Sequence, residues 1–308
     1  MGDGGFKKSD WDSYSSARHV SSATRVADVL HTGSHSVKSD WLPYNVIRES
    51  CDSTEHPNST PIIIGLDATG SMDDIVKDVA KGVGDTMIQI IERECVPDPQ
   101  ILFSVIDDYV TSSEKCIQVT QFESDIRIAK QMHDLSFIGR GGGNSWESFA
   151  DLWYFAAYRT RCDAIKKKRK GILITIGDDG IQPTLGSEEV KEVFGAHLEE
   201  RYIPIEQLYS RLSRDWEVFH ISCTEGDTYH YHGSRVKECW DKLIGEHHIL
   251  LDDSSKICEV IVSLLQTIKG DSVDKIASTW DKSTALVVSK ALGGLQVRNN
   301  NSTDVVVF

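Results

Sequence analysis

The sequence predicts an α/β fold: a doubly wound, mostly parallel central sheet with helices on both faces and one antiparallel edge strand. Three observations lead there. Two continuous apolar runs, Pro61-Ile62-Ile63-Ile64-Gly65-Leu66 and Gly171-Ile172-Leu173-Ile174-Thr175-Ile176, have the composition of strands covered on both faces. Each run stops at a polar, acidic loop. Amphipathic helical segments then alternate with further strands, the pattern of crossover connections in a parallel sheet.

In chain order, residues 1–58 form a Ser-rich N-terminal arm whose isolated aromatics, such as Trp11, Tyr14, Trp41 and Tyr44, suggest that parts of it pack on the body. Within it only residues 23–30 have the spacing of a short helix. The domain proper is placed at residues 59–269. After the first strand, Ile75, Val76, Val79, Val83, Met87 and Ile90 recur at intervals of three and four, which predicts an amphipathic helix over residues 72–91. Residues 101–106 and 116–120 are two strands whose short link permits a hairpin. Helices are expected at 123–135 and 146–167, and the second apolar run follows. Helices at 188–194 and 205–213, a strand at 216–222, a helix at 235–243, a strand at 248–251 and a helix at 254–268 complete the alternation. Residues 270–308 add a helix and a tail ending Val305-Val306-Val307-Phe308, an extra edge strand or a docking peptide.

Composition narrows the function. The 308 residues carry a formal net charge of −14, which argues against general affinity for nucleic acid or an anionic membrane. The stretch Lys166-Lys167-Lys168-Arg169-Lys170 is better read as the solvated end of a helix. No apolar run approaches the roughly 18 residues of a membrane span, the first residues lack a signal-peptide core, and seven scattered cysteines suit free thiols in a reducing compartment. A cytoplasmic location is therefore expected. His220, Cys223, His230, His232, Cys239, His247 and His248 crowd one region, but at spacings that match no standard zinc motif.

Ligands of open parallel sheets bind beyond the carboxyl ends of the strands, and three polar loops are expected at that edge. In Asp67-Ala68-Thr69-Gly70-Ser71, alternate residues offer one carboxylate and two hydroxyls, hard oxygens of the kind magnesium prefers. Gly139-Arg140-Gly141-Gly142-Gly143-Asn144-Ser145 allows close backbone approach, and Asn144 offers an amide oxygen or caps the following helix. Arg140 is either a contact for an acidic partner or a solvated surface residue. Gly177-Asp178-Asp179-Gly180 supplies a second carboxylate just past a strand end.

Together these three motifs resemble the metal-ion-dependent adhesion site (MIDAS) of von Willebrand factor A (VWA) domains, and they occur in that family's order over residues 61–269. The Asp-x-Thr-Gly-Ser-Met spelling looks more like intracellular, bacterial or phage members than animal integrins. The resemblance implies a Rossmann-like VWA fold, with Asp67, Thr69 and Ser71 as ligands of Mg2+ or Mn2+ and Asp178 acting through water. Asn144 stands where the family usually has Thr, although Gly-Gly-Gly-Asn-Ser-Trp-Glu is similar to a Gly-Gly-Gly-Asp-x-Pro-Glu version of the second loop. Family members imply a non-enzymatic, metal-dependent protein-binding module whose partner offers an acidic residue, often within larger or ATPase-associated assemblies. The chain has no Gly-x-x-x-x-Gly-Lys loop, so any ATP chemistry would belong to a partner. The alternative from the enzyme class is a phosphohydrolase of haloacid dehalogenase type, which needs a second carboxylate where this sequence has Thr69. A structural component using the same fold without metal is a third reading, separated from the first by metal binding.

Overall fold

The computed structural model describes residues 4–141 and 146–295. Six strands form the central sheet: β1 (Thr60–Asp67), β2 (Pro99–Ile106), β3 (Ile117–Val119), β4 (Gly171–Gly177), β5 (Trp216–Cys223) and β6 (His248–Leu251). Their order across the sheet is β6-β5-β4-β1-β2-β3. All neighbours run parallel except β3, which returns antiparallel against β2 at the edge. The α/β architecture with a mostly parallel sheet is thus as the apolar runs predict.

Side chains alternate across the sheet, and both faces are apolar. Ile62, Ile64 and Leu66 of β1 face a core shared with α2 (Asp73–Glu92), α7 (Ile257–Lys269) and α8 (Lys282–Leu292). Ile63 faces the opposite core, built with α3 (Phe149–Tyr158), α4 (Ser187–Phe194), α5 (Ile205–Leu212) and α6 (Asp227–Ile244). Burial on both faces explains why these strands read as continuous apolar runs rather than as alternating ones. The six positions that predicted α2 are all buried.

The N-terminal arm packs on the body through Trp11, with Tyr14 and Trp41 partly buried against the core and Tyr44 exposed, and it is more ordered than its composition indicates. Helix α1 (Lys8–Arg18) lies in the Ser-rich stretch and buries Trp11, while Phe6, Val20, Val26, Val29 and Leu30 join the first core. The helix expected over residues 23–30 is a single 3-10 turn, Val26–Asp28.

Three other expectations need correction. The helix expected over residues 146–167 is divided. Trp146–Glu147 pairs with Gly180–Ile181, α3 occupies only the middle, and Thr160–Cys162 forms a strand beside Arg48–Ser50 of the arm. The Thr160 hydroxyl donates to the Ala156 carbonyl at 2.7 Å, closing the last turn of α3, and the arm takes over the backbone hydrogen bonds beyond it. The helix expected over residues 123–135 shrinks to Arg127–Met132 because Glu123 bridges to Ile101 at the sheet edge. Conversely, α6 begins at Asp227, two turns before the expected residue 235. Past residue 270 the chain makes a short helix, Val273–Ala277, and then α8. The tail Val305-Val306-Val307-Phe308 lies outside the described residues.

No helix among the described residues is long and apolar enough to cross a membrane. All seven cysteines are free thiols.

Candidate metal centre

Strand order places the site. β1 and β4 are neighbours, yet from β1 the chain crosses to β2 on one side, and from β4 it crosses to β5 on the other. At such a reversal the loops beyond the carboxyl ends diverge and leave a crevice. Register then sets the height of each loop. Asp67, the last residue of β1, lies opposite Ile106, and Leu66 lies opposite Ile176. Asp107 and Asp178 therefore begin their loops within about a residue of Asp67.

Asp67 is fully buried, and its two carboxyl oxygens differ. Oδ1 accepts hydrogen bonds from the Thr69 backbone N–H at 2.9 Å and the Thr69 hydroxyl at 2.6 Å. Oδ2 is buried with no hydrogen-bond partner among the described residues. The Thr69 and Ser71 hydroxyls approach to 3.4 Å, and Ser71 Oγ donates to Asp178 Oδ1 at 3.0 Å. Four of the five residues singled out from the sequence thus converge: Asp67, Thr69, Ser71 and Asp178. Asn144 lies outside the described residues.

Asp178 is held from the far side by α6. The Thr228 backbone N–H, in the first turn of that helix, donates to Asp178 Oδ2 at 3.0 Å, where the helix dipole also favours negative charge. The approach depends on Gly226. A Cβ there would sit 2.4 Å from both Cβ and Oδ2 of Asp178, so any larger residue would push the helix away.

The Gly-rich loop is anchored on its near side. Gly139 donates its N–H to the Ala68 carbonyl at 3.1 Å, and the Arg140 N–H reaches the Asp107 carboxyl. Arg140 itself is exposed.

Further acids surround this centre. Asp107 and Asp108 follow β2 and are buried; Glu147 and Asp179 are buried as well. Asp179 is paired, accepting from Arg235 Nη2 at 2.8 Å. Glu147 is 7% exposed and its Oε2 has no hydrogen-bond partner. Burial, and then repulsion from Asp178, pushes the Asp67 carboxyl well above the usual carboxylate range. Burial also raises Asp178, against the N–H of Thr228 and the Ser71 hydroxyl. Asp107 is pushed up to about 6 by burial, even though it accepts hydrogen bonds from Asp108, Ser112 and Arg140. Glu147 is raised by burial and by Asp67.

Asp107, Asp108 and Thr228 went unremarked in the sequence. The two acids had a signal, since they follow the apolar run 101–106 just as Asp67 and Asp178 follow theirs. Thr228 had none, because its contribution is a backbone N–H.

A cleft of about 420 Å3 opens over these groups. Thr69, Gly70 and Ser71 line it together with Glu147 and Asp179, and α6 contributes Asp227, Tyr231 and His232. Tyr231 is 77% exposed. Among the described residues, no three His, Cys, Asp or Glu side chains gather closely enough to hold a metal ion by themselves. The converging donors are a carboxylate and two hydroxyls, backed by a second carboxylate. Hydroxyls that donate a hydrogen bond keep lone pairs for a cation. All these oxygens are hard donors of the type magnesium takes, and the unpartnered Asp67 Oδ2 is a buried anionic atom left without a counterpart. The residues present therefore fit a small divalent cation.

The histidines and cysteines of the second half do not form a centre of their own. His220 is buried and stacked on Trp240, with ring centroids 3.7 Å apart, and His248 bridges Ser222 and Asp241. His230 and His232 are exposed on α6.

No family profile matches the chain, and no curated protein does either. Among solved structures, the chain is similar to the pilus adhesin SpaC from Lactobacillus rhamnosus GG. The open conformation of that protein matches at 11% identity and a TM-score of 0.49, over 71% of this chain and 31% of the adhesin. A second structure of the same adhesin matches at 11% identity and a TM-score of 0.50, over 71% and 32%. The chain spans about a third of the adhesin, and the likeness is one of fold alone.

Proposed function

We propose that this chain is a VWA-type, non-enzymatic module that binds a protein partner through a divalent cation, Mg2+ or Mn2+, at the carboxyl edge of its sheet. The observation that carries this reading is the set Asp67, Thr69, Ser71 and Asp178, linked at the switch point of the sheet, with a fully buried Asp67 oxygen that none of the described residues satisfies. Strand order β6-β5-β4-β1-β2-β3 with an antiparallel outer strand supports it too. Asp67, Thr69 and Ser71 would hold the ion. Asp178, fixed by Thr228 and Ser71, would stand behind it. The bound ion would supply a Lewis-acidic position facing the cleft, where an acidic side chain of the partner is recognised.

The hydrolase alternative is weaker on the same geometry. Its general acid would stand at Thr69, whose hydroxyl is committed to Asp67 Oδ1 and cannot carry a proton near neutral pH. Partners inside an ATPase-associated assembly and a cytoplasmic location belong to this proposal as well.

Calorimetry of the purified chain with MgCl2 tests it. One site is expected in the wild type and none in Asp67→Ala. Equal heats from both proteins would end the metal reading. Phosphate-ester turnover lost in Asp67→Asn would instead favour the hydrolase.

A further inference from the structure

Beside the cleft over Asp67 lies a second, smaller one of about 110 Å3 that the metal reading does not use. Its walls include three carboxylates from three separate elements: Asp108 after β2, Glu147 in the strand beside Gly180–Ile181, and Glu189 of α4. Gln182, Tyr109 and Trp146 line it too, together with the hydroxyl residues Ser148 and Thr184. No Lys or Arg lines it among the described residues.

Acidic residues gathered at a surface are ordinarily solvated. Glu147 is different. It is 93% buried by its 7% exposure, lines this cleft, and has an Oε2 atom with no hydrogen-bond partner. Asp151, outside the cleft lining, is fully buried behind Glu189 and accepts from the Gln182 side-chain amide at 3.3 Å. A buried acceptor without a donor costs stability, and among the described residues none donates to Glu147 Oε2, so a donor entering from outside would satisfy it.

The placement of the acids on three separate elements selects among donors. Among the described residues they do not form a group of three that could hold a metal ion, and no hydroxyl pair like Thr69 and Ser71 links them. A guanidinium is wider, with five N–H groups in a plane that can address carboxylates on different walls while its face lies on an aromatic ring. Trp146 already receives one guanidinium in this manner, with Arg235 Cζ 5.2 Å from its ring centroid. Glu147 lines both clefts, so the two sites adjoin and one short segment can fill both.

We propose that the cleft between Asp108, Glu147 and Glu189 receives an arginine side chain of the same partner whose carboxylate is recognised next door. The identity of that partner rests on the protein-binding reading above; the arginine site itself does not require the metal. Pairing of this kind answers an electrostatic difficulty. A lone acidic side chain entering the larger cleft passes Glu147 and Asp227, and a neighbouring arginine offsets that repulsion.

The test titrates the full chain, in chelator, with N-acetyl-arginine amide, and with the lysine and citrulline analogues as controls, following the indole N–H signal of Trp146 by NMR. Saturable binding of the arginine probe is expected, with citrulline and lysine weaker by about tenfold or more. Glu147→Gln and Glu189→Gln, on separate elements and each checked by a thermal melt, should each weaken the arginine probe by about tenfold. Asp67→Ala should leave it unchanged, and Glu189→Gln should leave the MgCl2 titration unchanged. Equal binding of arginine and citrulline overturns the proposal, as does indifference to both Gln variants. Loss of arginine binding in Asp67→Ala places the probe in the metal's cleft and also overturns it. A second equivalent of divalent ion in the wild type that disappears in Glu189→Gln would assign the cleft to a metal instead. Failure of magnesium binding alone, with arginine binding intact, removes the metal reading and leaves this site standing.

Discussion

His133 is fully buried just past the short Arg127–Met132 helix, and its two ring nitrogens face opposite kinds of partner. Nε2 lies 2.7 Å from the Ala80 carbonyl, which can only accept; Nδ1 lies 3.0 Å from the Tyr14 hydroxyl, which can donate. A neutral ring carrying its proton on Nε2 satisfies both and ties α1 to α2. Burial pushes its pKa down to about 4 from an ordinary 6.5. The unfolded chain thus takes up the proton first. Stability from this residue is complete above pH ~6.5 and is lost as pH falls toward ~4, by roughly 3 kcal/mol at most. Urea unfolding between pH 7 and 4 should show that loss in the wild type. His133→Gln should lower stability at pH 7 and flatten the acid limb, and an unaltered limb would show that His133 is not the group responsible.

At the scale of elements, the contact between α1 and α2 is decided by one missing side chain. A Cβ on Gly84 would lie 1.9 Å from the indole of Trp11, so the helix backbone is the floor on which that ring rests. Gly→Ala inside a helix ordinarily stabilises by up to about 1 kcal/mol. Here overpacking wins, and Gly84→Ala should cost about 2 kcal/mol in urea unfolding. Gly82→Ala, whose Cβ meets only the Cys258 side chain within 3 Å, should cost less. If the two behave alike, Trp11 does not need Gly84. The same contact explains why α1 was illegible. Its sequence, Lys-Ser-Asp-Trp-Asp-Ser-Tyr-Ser-Ser-Ala-Arg, has too few apolar positions for a helical stripe, and one indole against a glycine supplies the anchorage instead. By contrast α2 shows six apolar positions on a single face and was legible from spacing alone. Residues 146–167 failed in the opposite direction. Apolar spacing continues through Ala157, Cys162 and Ala164, all buried, but pairing with Arg48–Ser50 breaks the helix, and a partner more than 100 residues away leaves no local trace. The convergence of the candidate residues was legible where it depends on side chains at strand ends, as at Asp67 and Asp178. It was not where it depends on a neighbour's backbone, as at Thr228.

Across the whole molecule, the carboxyl edge of the sheet concentrates uncompensated negative charge in a protein already at −14. Asp67, Asp178, Asp107 and Glu147 all have folded-state pKa values raised above their ordinary ones. For a carboxyl raised in this way the folded state binds the proton more tightly. Its contribution to stability is fully present below pH ~4 and is lost as pH rises through the folded value, about 6 for Asp107. This sign is opposite to that of His133, so a single melting curve against pH mixes the two. The difference between melts in MgCl2 and in chelator separates them, because His133 contributes equally to both. An ion that binds only the folded chain stabilises by about 2.7 kcal/mol when present at about a hundred times its Kd. At about 1.5 °C per kcal/mol for a chain of this length, the magnesium increment in Tm should be roughly 4 °C at pH 7. It should shrink toward zero at pH 5, where protons compete for the same oxygens. Asp67→Asn removes the buried charge, and should melt higher than the wild type in chelator at pH 7 while gaining nothing from magnesium. An increment that is independent of pH, or that survives in Asp67→Asn, would mean that the ion binds elsewhere and that the acids at the switch point owe their burial to something other than a cation.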